Sequence, residues 1–146
     1  MITLKNARII ASKLTKNKIP KITTLHDWKA AGLISEVIRF ENNGKGRIGF
    51  FKETLPVEIV TTAELKEKYS LKQIAKARND LLNGLDNIKK IKNNEFIDEV
   101  IKEEVSIDTA PERLLEIIIL KEYANKYREI FFRLEELNEN KKLEIV

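Results

Sequence analysis

Apolar side chains recur at steps of three and four residues along most of this chain, which is the spacing of amphipathic helices. The first stripe follows Thr3, a residue able to cap a helix, and consists of Leu4, Ala7, Ile10, Ala11 and Leu14. Pro20 bars this helix from continuing and can open a second one, which we predict over residues 21–31. Two short helices joined by a tight turn predict a helix-turn-helix.

The second predicted helix has one apolar side and one polar side. Ile22, Leu25 and Trp28 fall on the apolar side, so we expect Trp28 to be a core residue rather than a stacking platform for bases. The polar side carries Thr23, His26, Asp27 and Ala30. Gly32 ends the helix, because glycine commonly follows the last helical turn.

Segments 37–40 and 48–51 are dominated by β-branched and aromatic residues, which are typical of strands. The connecting residues include Gly44 and Gly46, so the two segments predict a hairpin. Because two strands alone are marginal in water, we expect the hairpin to pack against the helices. A third helix is predicted from about residue 54 to residue 68.

The second half of the chain predicts longer helices. Ser70 and Gln73 form a capping box, and behind it a stripe comprises Leu71, Ile74, Arg78, Leu81, Leu85 and Ile88. We predict a break at residues 92–94 and a resumed helix over 95–105. A second capping box, Thr109 to Glu112, opens the longest helix, which we expect to fray from Asn138 onward.

The longest helix carries a seam with the alternating three- and four-residue spacing of a coiled coil. Its members are Leu120, Tyr123, Tyr127, Ile130, Leu134 and Leu137. We expect this seam to join two copies of the chain in a homodimer. Alternatively, the seam folds back on the helix of residues 71–88 within one chain. Both arrangements hold together if the helix pairs of two chains form a four-helix bundle across a two-fold axis.

The net charge of +4 conceals two halves of opposite sign. Residues 1–78 contain 16 Lys and Arg against 7 Asp and Glu, a net charge of +9. Residues 79–146 contain 11 against 16, a net charge of −5. A basic half joined to an acidic half predicts a module that binds a polyanion and a second module with another task.

Composition excludes several kinds of site. The chain has no cysteine and one histidine, so thiolate and multi-histidine metal sites are not expected. It shows no glycine-rich phosphate loop and no nucleophile–base pair, and we therefore expect neither an enzyme nor a cofactor. The apolar runs are too short to span a membrane, and the N-terminus lacks a signal-peptide pattern. We expect a cytoplasmic protein.

Three motifs together resemble the MerR-type winged helix-turn-helix regulators. Residues 24–34, with Trp28 and a terminal Gly-Leu-Ile, resemble that family's second helix. Residues 44–47 resemble the Gly-x-Arg element of its wing, and residues 70–74 resemble a Ser-Leu-x-x-Ile signature that follows. The resemblance covers roughly residues 15–78, about half of the chain.

This resemblance implies a mostly α fold, with a winged helix-turn-helix and a two-stranded β wing over residues 1–78. A helical hairpin or coiled-coil dimerisation region would follow over residues 79–146. The implied function is sequence-dependent binding of double-stranded DNA by a dimeric transcriptional regulator, with the second helix in the major groove. The expected DNA-binding residues are Lys21, Thr23, Thr24, His26, Asp27, Lys29, Arg39, Lys45 and Arg47.

The chain departs from the family at the positions that read bases. Where the family has arginine, tyrosine and arginine, this chain has His26, Asp27 and Ala30. Asp27 repels phosphate, although a carboxylate can accept a hydrogen bond from cytosine N4. Lys45 and Arg47 are also explained as charges that keep a hairpin soluble. Two alternatives therefore stay open: an architectural or chromosome- or plasmid-anchoring DNA-binding protein with a helical stalk, and a protein-interaction module that binds no DNA.

Overall fold

The computed structural model describes the backbone of residues 1–84, 106 and 108–145. The elements in chain order are α1 (Leu4–Leu14), α2 (Ile22–Ala30), β1 (Arg39–Asn42), β2 (Arg47–Phe50), α3 (Leu55–Leu65), α4 (Leu71–Gly84) and α5 (Pro111–Ile145). The described fold is thus mostly helical, with one two-stranded antiparallel sheet. None of its described helices is long and apolar enough to cross a membrane. The break predicted at 92–94 and the helix predicted over 95–105 lie outside the described residues.

The end of α2 has a clear local cause. Gly32 adopts a φ of 77°, a left-handed conformation that favours glycine. The N–H of Leu33 then donates to the Trp28 carbonyl at 2.9 Å, and the N–H of Gly32 donates to the Lys29 carbonyl at 3.2 Å. These two bonds form a Schellman motif, which satisfies the last carbonyls of the helix. The predicted stop at Gly32 is therefore confirmed.

The start of α4 confirms the predicted capping box. The N–H of Ser70 donates to Gln73 Oε1 at 3.0 Å, and the N–H of Gln73 donates to Ser70 Oγ at 3.2 Å. The last helix begins at Pro111 and continues to Ile145, so the fraying predicted from Asn138 onward is wrong. Leu137 still packs against the core there, and the residues beyond it are largely good helix formers.

The predicted hairpin is present, with its strands displaced toward the turn. It had been placed at 37–40 and 48–51, whereas the strands pair Arg39 with Phe50 and Asn42 with Arg47. The displacement arises because residues 43–46 suffice for the turn. Its base is fixed to the N-terminus of the chain, since Phe51 donates to and accepts from the backbone of Ile2.

One hydrophobic core joins the described parts of both halves of the chain. The central element is α3, in which every residue from Leu55 to Ala63 is buried. It packs against α1 and α5, and α5 packs along α4. Residue 78, where the sequence suggested a boundary, lies inside α4.

The predicted coiled-coil seam packs into this core. Its first five members are buried and Leu137 is half-buried, all within a single chain. The seam thus packs as the fold-back alternative describes, because α4 and α3 supply the apolar surface that a second copy would otherwise provide. A different set of apolar side chains faces outward from α5, comprising Leu114, Leu115, Ile118 and Phe132. We call this set the outer apolar face of α5.

Candidate nucleic-acid interface

The second helix separates its residues into the two faces that the sequence predicted. Leu25 is fully buried and the Trp28 side chain is 4% exposed, which confirms the expectation that Trp28 belongs to the core. The exposed residues are Thr23, His26, Asp27 and Ala30, and Thr24 is half-buried at the edge of this set. We call the four exposed residues the outward face of α2.

Two of the expected basic residues lie at opposite ends of this helix. Lys21 is the exposed N-cap residue of α2, and no side chain caps the N–H groups of the first turn. Those groups give the start of the helix a partial positive charge. Lys29 lies in the last turn and is half-buried. Lys21 and the helix terminus thus both add positive charge at the N-terminal end of α2.

The hairpin holds Arg47 against an aromatic ring. The guanidinium carbon of Arg47 lies 3.8 Å from the centroid of the Phe40 ring. Phe40 faces Gly49 across the sheet, and a Cβ added at Gly49 would lie 3.4 Å from the Phe40 ring and 3.2 Å from Val37. Glycine therefore leaves room for the ring. A cation–π contact fixes a guanidinium without neutralising its charge.

The other hairpin arginine lies on the opposite side of the sheet. Arg39 pairs with Phe50 across the ladder, whereas Arg47 pairs with Asn42, and successive strand residues point to opposite faces. Arg39 forms an ion pair with Glu41 and stands 5.6 Å from the centroid of the Phe50 ring. Its charge is therefore partly compensated, whereas Arg47 has no ion pair with any described residue.

The remaining basic residue of the hairpin lies in the turn. Lys45 is exposed, and its backbone N–H donates to Asn43 Oδ1 at 3.1 Å. Gly46, with a φ of 135°, closes the turn by accepting from the N–H of Asn43. The Lys45 side chain is consequently presented to solvent at the end of the hairpin.

The outward face of α2 and the hairpin are neighbours. A hollow of about 310 Å³ between them is lined by Lys29, Ala30, Glu36, Val37 and Phe40. The structure thus brings the C-terminal end of α2 next to the ring that holds Arg47. Arg39, on the other side of the sheet, does not join this group.

A buried polar network fixes the loop between α2 and the hairpin. The Glu58 carboxylate accepts from the N–H of Ser35 at 3.0 Å, from Ser35 Oγ at 2.9 Å and from Arg78 Nη2 at 2.8 Å. Arg78 also donates to the carbonyl of Gly32 at 3.1 Å. Elements α3 and α4 therefore hold both the end of α2 and the start of the hairpin.

Sequence reasoning missed this network, although a signal was present. Arg78 interrupts the apolar stripe of α4, and Glu58 interrupts the apolar run of α3. Charged residues are almost never fully buried unless they are paired. Two charges of opposite sign on two apolar faces therefore indicate a buried ion pair.

Two stacked tyrosines of α5 lie near the network, with ring centroids 6.3 Å apart. Burial raises the pKa of Tyr127 to about 12, and the negative charge of Glu58 adds to the increase. Burial also raises the pKa of Tyr123 well above 10.0. Among the described residues, the Tyr123 hydroxyl has no hydrogen-bond partner.

Within the described ranges, no group of three or more histidine or acidic side chains is placed to hold a metal ion. Comparisons with protein-family models, with curated proteins and with solved structures each give no match to this chain.

Proposed function

We propose that this chain binds double-stranded DNA as a winged helix-turn-helix protein and acts as a dimeric transcriptional regulator. The observation that carries the proposal is the position of the outward face of α2 beside the hairpin that holds Arg47. Both belong to the half of the chain whose net charge is +9. In the proposed complex α2 enters the major groove, and the hairpin contacts the backbone or the adjacent minor groove.

The outward face of α2 offers limited chemistry for reading bases. Thr23 and His26 can donate or accept hydrogen bonds at base edges, and Asp27 can accept from cytosine N4. The basic residues Lys21, Lys45 and Arg47 suit phosphates, which fix register but carry no sequence information. We therefore expect a large part of the affinity to be electrostatic.

The proposed dimer uses the outer apolar face of α5. Ile118 is 53% exposed and Phe132 is 45% exposed, and they are separated by two heptads, so they share one side of the helix. Leu114 lies one turn before Ile118 on the same side. A second copy would cover these side chains and set the distance between two DNA half-sites.

Binding should be measured by fluorescence anisotropy on a duplex from the upstream region of its own gene, at several salt concentrations. Each neutralised phosphate contributes about −0.9 to the slope of log affinity against log salt. Replacing Lys45 and Arg47 with alanine should make the slope shallower by up to about 1.8. A slope near zero for the wild-type protein contradicts the proposal and favours a protein-interaction module.

A second candidate is an architectural or anchoring DNA-binding protein. Ala30 and Asp27 on the outward face of α2 favour it, because neither offers a strong base contact. Footprinting separates the two functions. A regulator protects one short segment of the upstream region, whereas an architectural protein protects many segments without a preferred one.

A further inference from the structure

A basic cleft lies at the N-terminal end of α2, and we propose that it seats a backbone phosphate of the bound DNA. The cleft has a volume of about 720 Å³. Its charged lining residues are Lys18, Lys21 and Lys66, and none of the described residues that line it carries a carboxylate. The inference rests on the proposed function and extends the DNA-binding surface to Lys18 and Lys66.

Three separate segments of the chain bring these lysines together. Lys18 lies in the turn before α2, Lys21 occupies the N-cap position of α2, and Lys66 follows the last residue of α3. In the described part of the chain, no acidic side chain pairs with any of them. Like charges that converge without counter-charges raise the local concentration of anions.

Neighbouring groups suit the same ligand. Lys66 Nζ stands 5.8 Å from the centroid of the Trp28 ring, a contact that holds the ammonium group over the cleft. Three hydroxyl-bearing residues, Thr24, Tyr69 and Ser70, also line the cleft. Ammonium and hydroxyl groups donate hydrogen bonds, and a phosphodiester oxygen accepts them.

The position of the cleft matches the walls of a DNA groove. Thr24 lines the cleft, whereas Ala30 lines the hollow beside the hairpin. With 3.6 residues per turn, Asp27 lies between them, about 60° from each. The outward face of α2 is therefore flanked by the cleft on one side and by the hairpin on the other. A helix in a major groove about 12 Å wide has a phosphate backbone on each side. The hairpin would meet one strand and the cleft the other.

The test compares two double variants that lose equal charge. Lys18→Ala with Lys66→Ala removes two lysines of the cleft, and Lys5→Ala with Lys121→Ala removes two exposed lysines elsewhere. The cleft variant should bind duplex DNA about tenfold or more weakly at low salt, with a slope shallower by about 0.9, because one phosphate is no longer neutralised. The control should keep the wild-type slope. Arginine in place of both Lys18 and Lys66 should restore the wild-type slope. The melting curves of all these variants should match that of the wild-type protein, because the four replaced side chains are exposed.

Equal slopes for the cleft variant and the control overturn the inference while leaving DNA binding intact. A flat slope for the wild-type protein instead removes the proposed function itself. A second measurement separates DNA phosphate from free phosphate. Inorganic phosphate is titrated at constant ionic strength, with Trp28 fluorescence as the signal. If the fluorescence of the wild-type protein changes with phosphate while the cleft variant and the control have equal DNA slopes, the cleft is a site for a free anion. The inference is then overturned.

Discussion

At the scale of single residues, the hairpin shows how one side chain can position another. Arg47 carries the charge that DNA would meet, but the Phe40 ring determines where that charge lies. Phe40 is 50% exposed and contributes little to the core, so its packing on Gly49 and under Arg47 accounts for its position. We therefore treat Phe40 as a positioning residue for the proposed DNA contact.

Replacing Phe40 with leucine should separate position from charge. The cation–π contact is worth about 0.5–1 kcal/mol at an exposed site, so DNA affinity should fall about two- to fivefold. The salt slope should not change, because Arg47 remains charged. Phe40→Tyr keeps a ring and should bind like the wild-type protein. Wild-type affinity in Phe40→Leu, measured by anisotropy, would show that the ring does not position Arg47.

At the scale of elements, the sequence predicted the helices better than it predicted which elements they pack against. Steps of three and four residues give the extents of α1 and α2 and the start of α4 to within a few residues, because amphipathic spacing reports which side of a helix is apolar. The same spacing does not indicate which element packs against that side. The seam of α5 suits a second copy and an intrachain neighbour equally well, and α3 and α4 cover it here. The strand register was missed for a related reason, since the turn length was not known.

The two faces of α5 should respond differently to a buried charge. Asp at both Ile118 and Phe132 alters the outer apolar face and should dissociate the proposed dimer with little change in melting temperature. Asp at Ile130, which is fully buried, should cost about 4 kcal/mol or more and unfold much of the protein. Light scattering reports the mass and circular dichroism the melting. If the first variant remains dimeric, the interface lies elsewhere on the chain.

At the scale of the whole molecule, the candidate site depends on residues that are distant in sequence. Glu58, Ser35 and Arg78 meet in the core and hold the loop between α2 and the hairpin. A single sequence shows the unusual residue types but not that they converge, because convergence follows from how α3 and α4 pack. For the same reason the sequence predicted the outward face of α2 but not the basic cleft, whose lysines come from three segments.

Alkaline pH should probe the centre of this packing. An unfolded tyrosine loses its proton near pH 10, whereas Tyr127 retains its proton in the folded protein up to about pH 12. Burial also raises the pKa of Tyr123, so Tyr123 too retains its proton in the folded protein at a pH where the unfolded chain loses it. Below pH 10 both states are protonated and these residues add no pH dependence. Above it, unfolding releases protons, so the stability that neutral tyrosines provide is progressively lost.

The variant Tyr123→Phe isolates one of these protons. Near pH 8 it should be at least as stable as the wild-type protein, because an unpaired buried hydroxyl costs about 1–3 kcal/mol. Between pH 10 and pH 11 its advantage should grow by about 1 kcal/mol, because the unfolded tyrosine is half-ionised at pH 10 and almost fully ionised at pH 11. Urea unfolding followed by far-UV circular dichroism measures both differences. An advantage that stays constant over this pH range would contradict the raised pKa that burial gives to Tyr123.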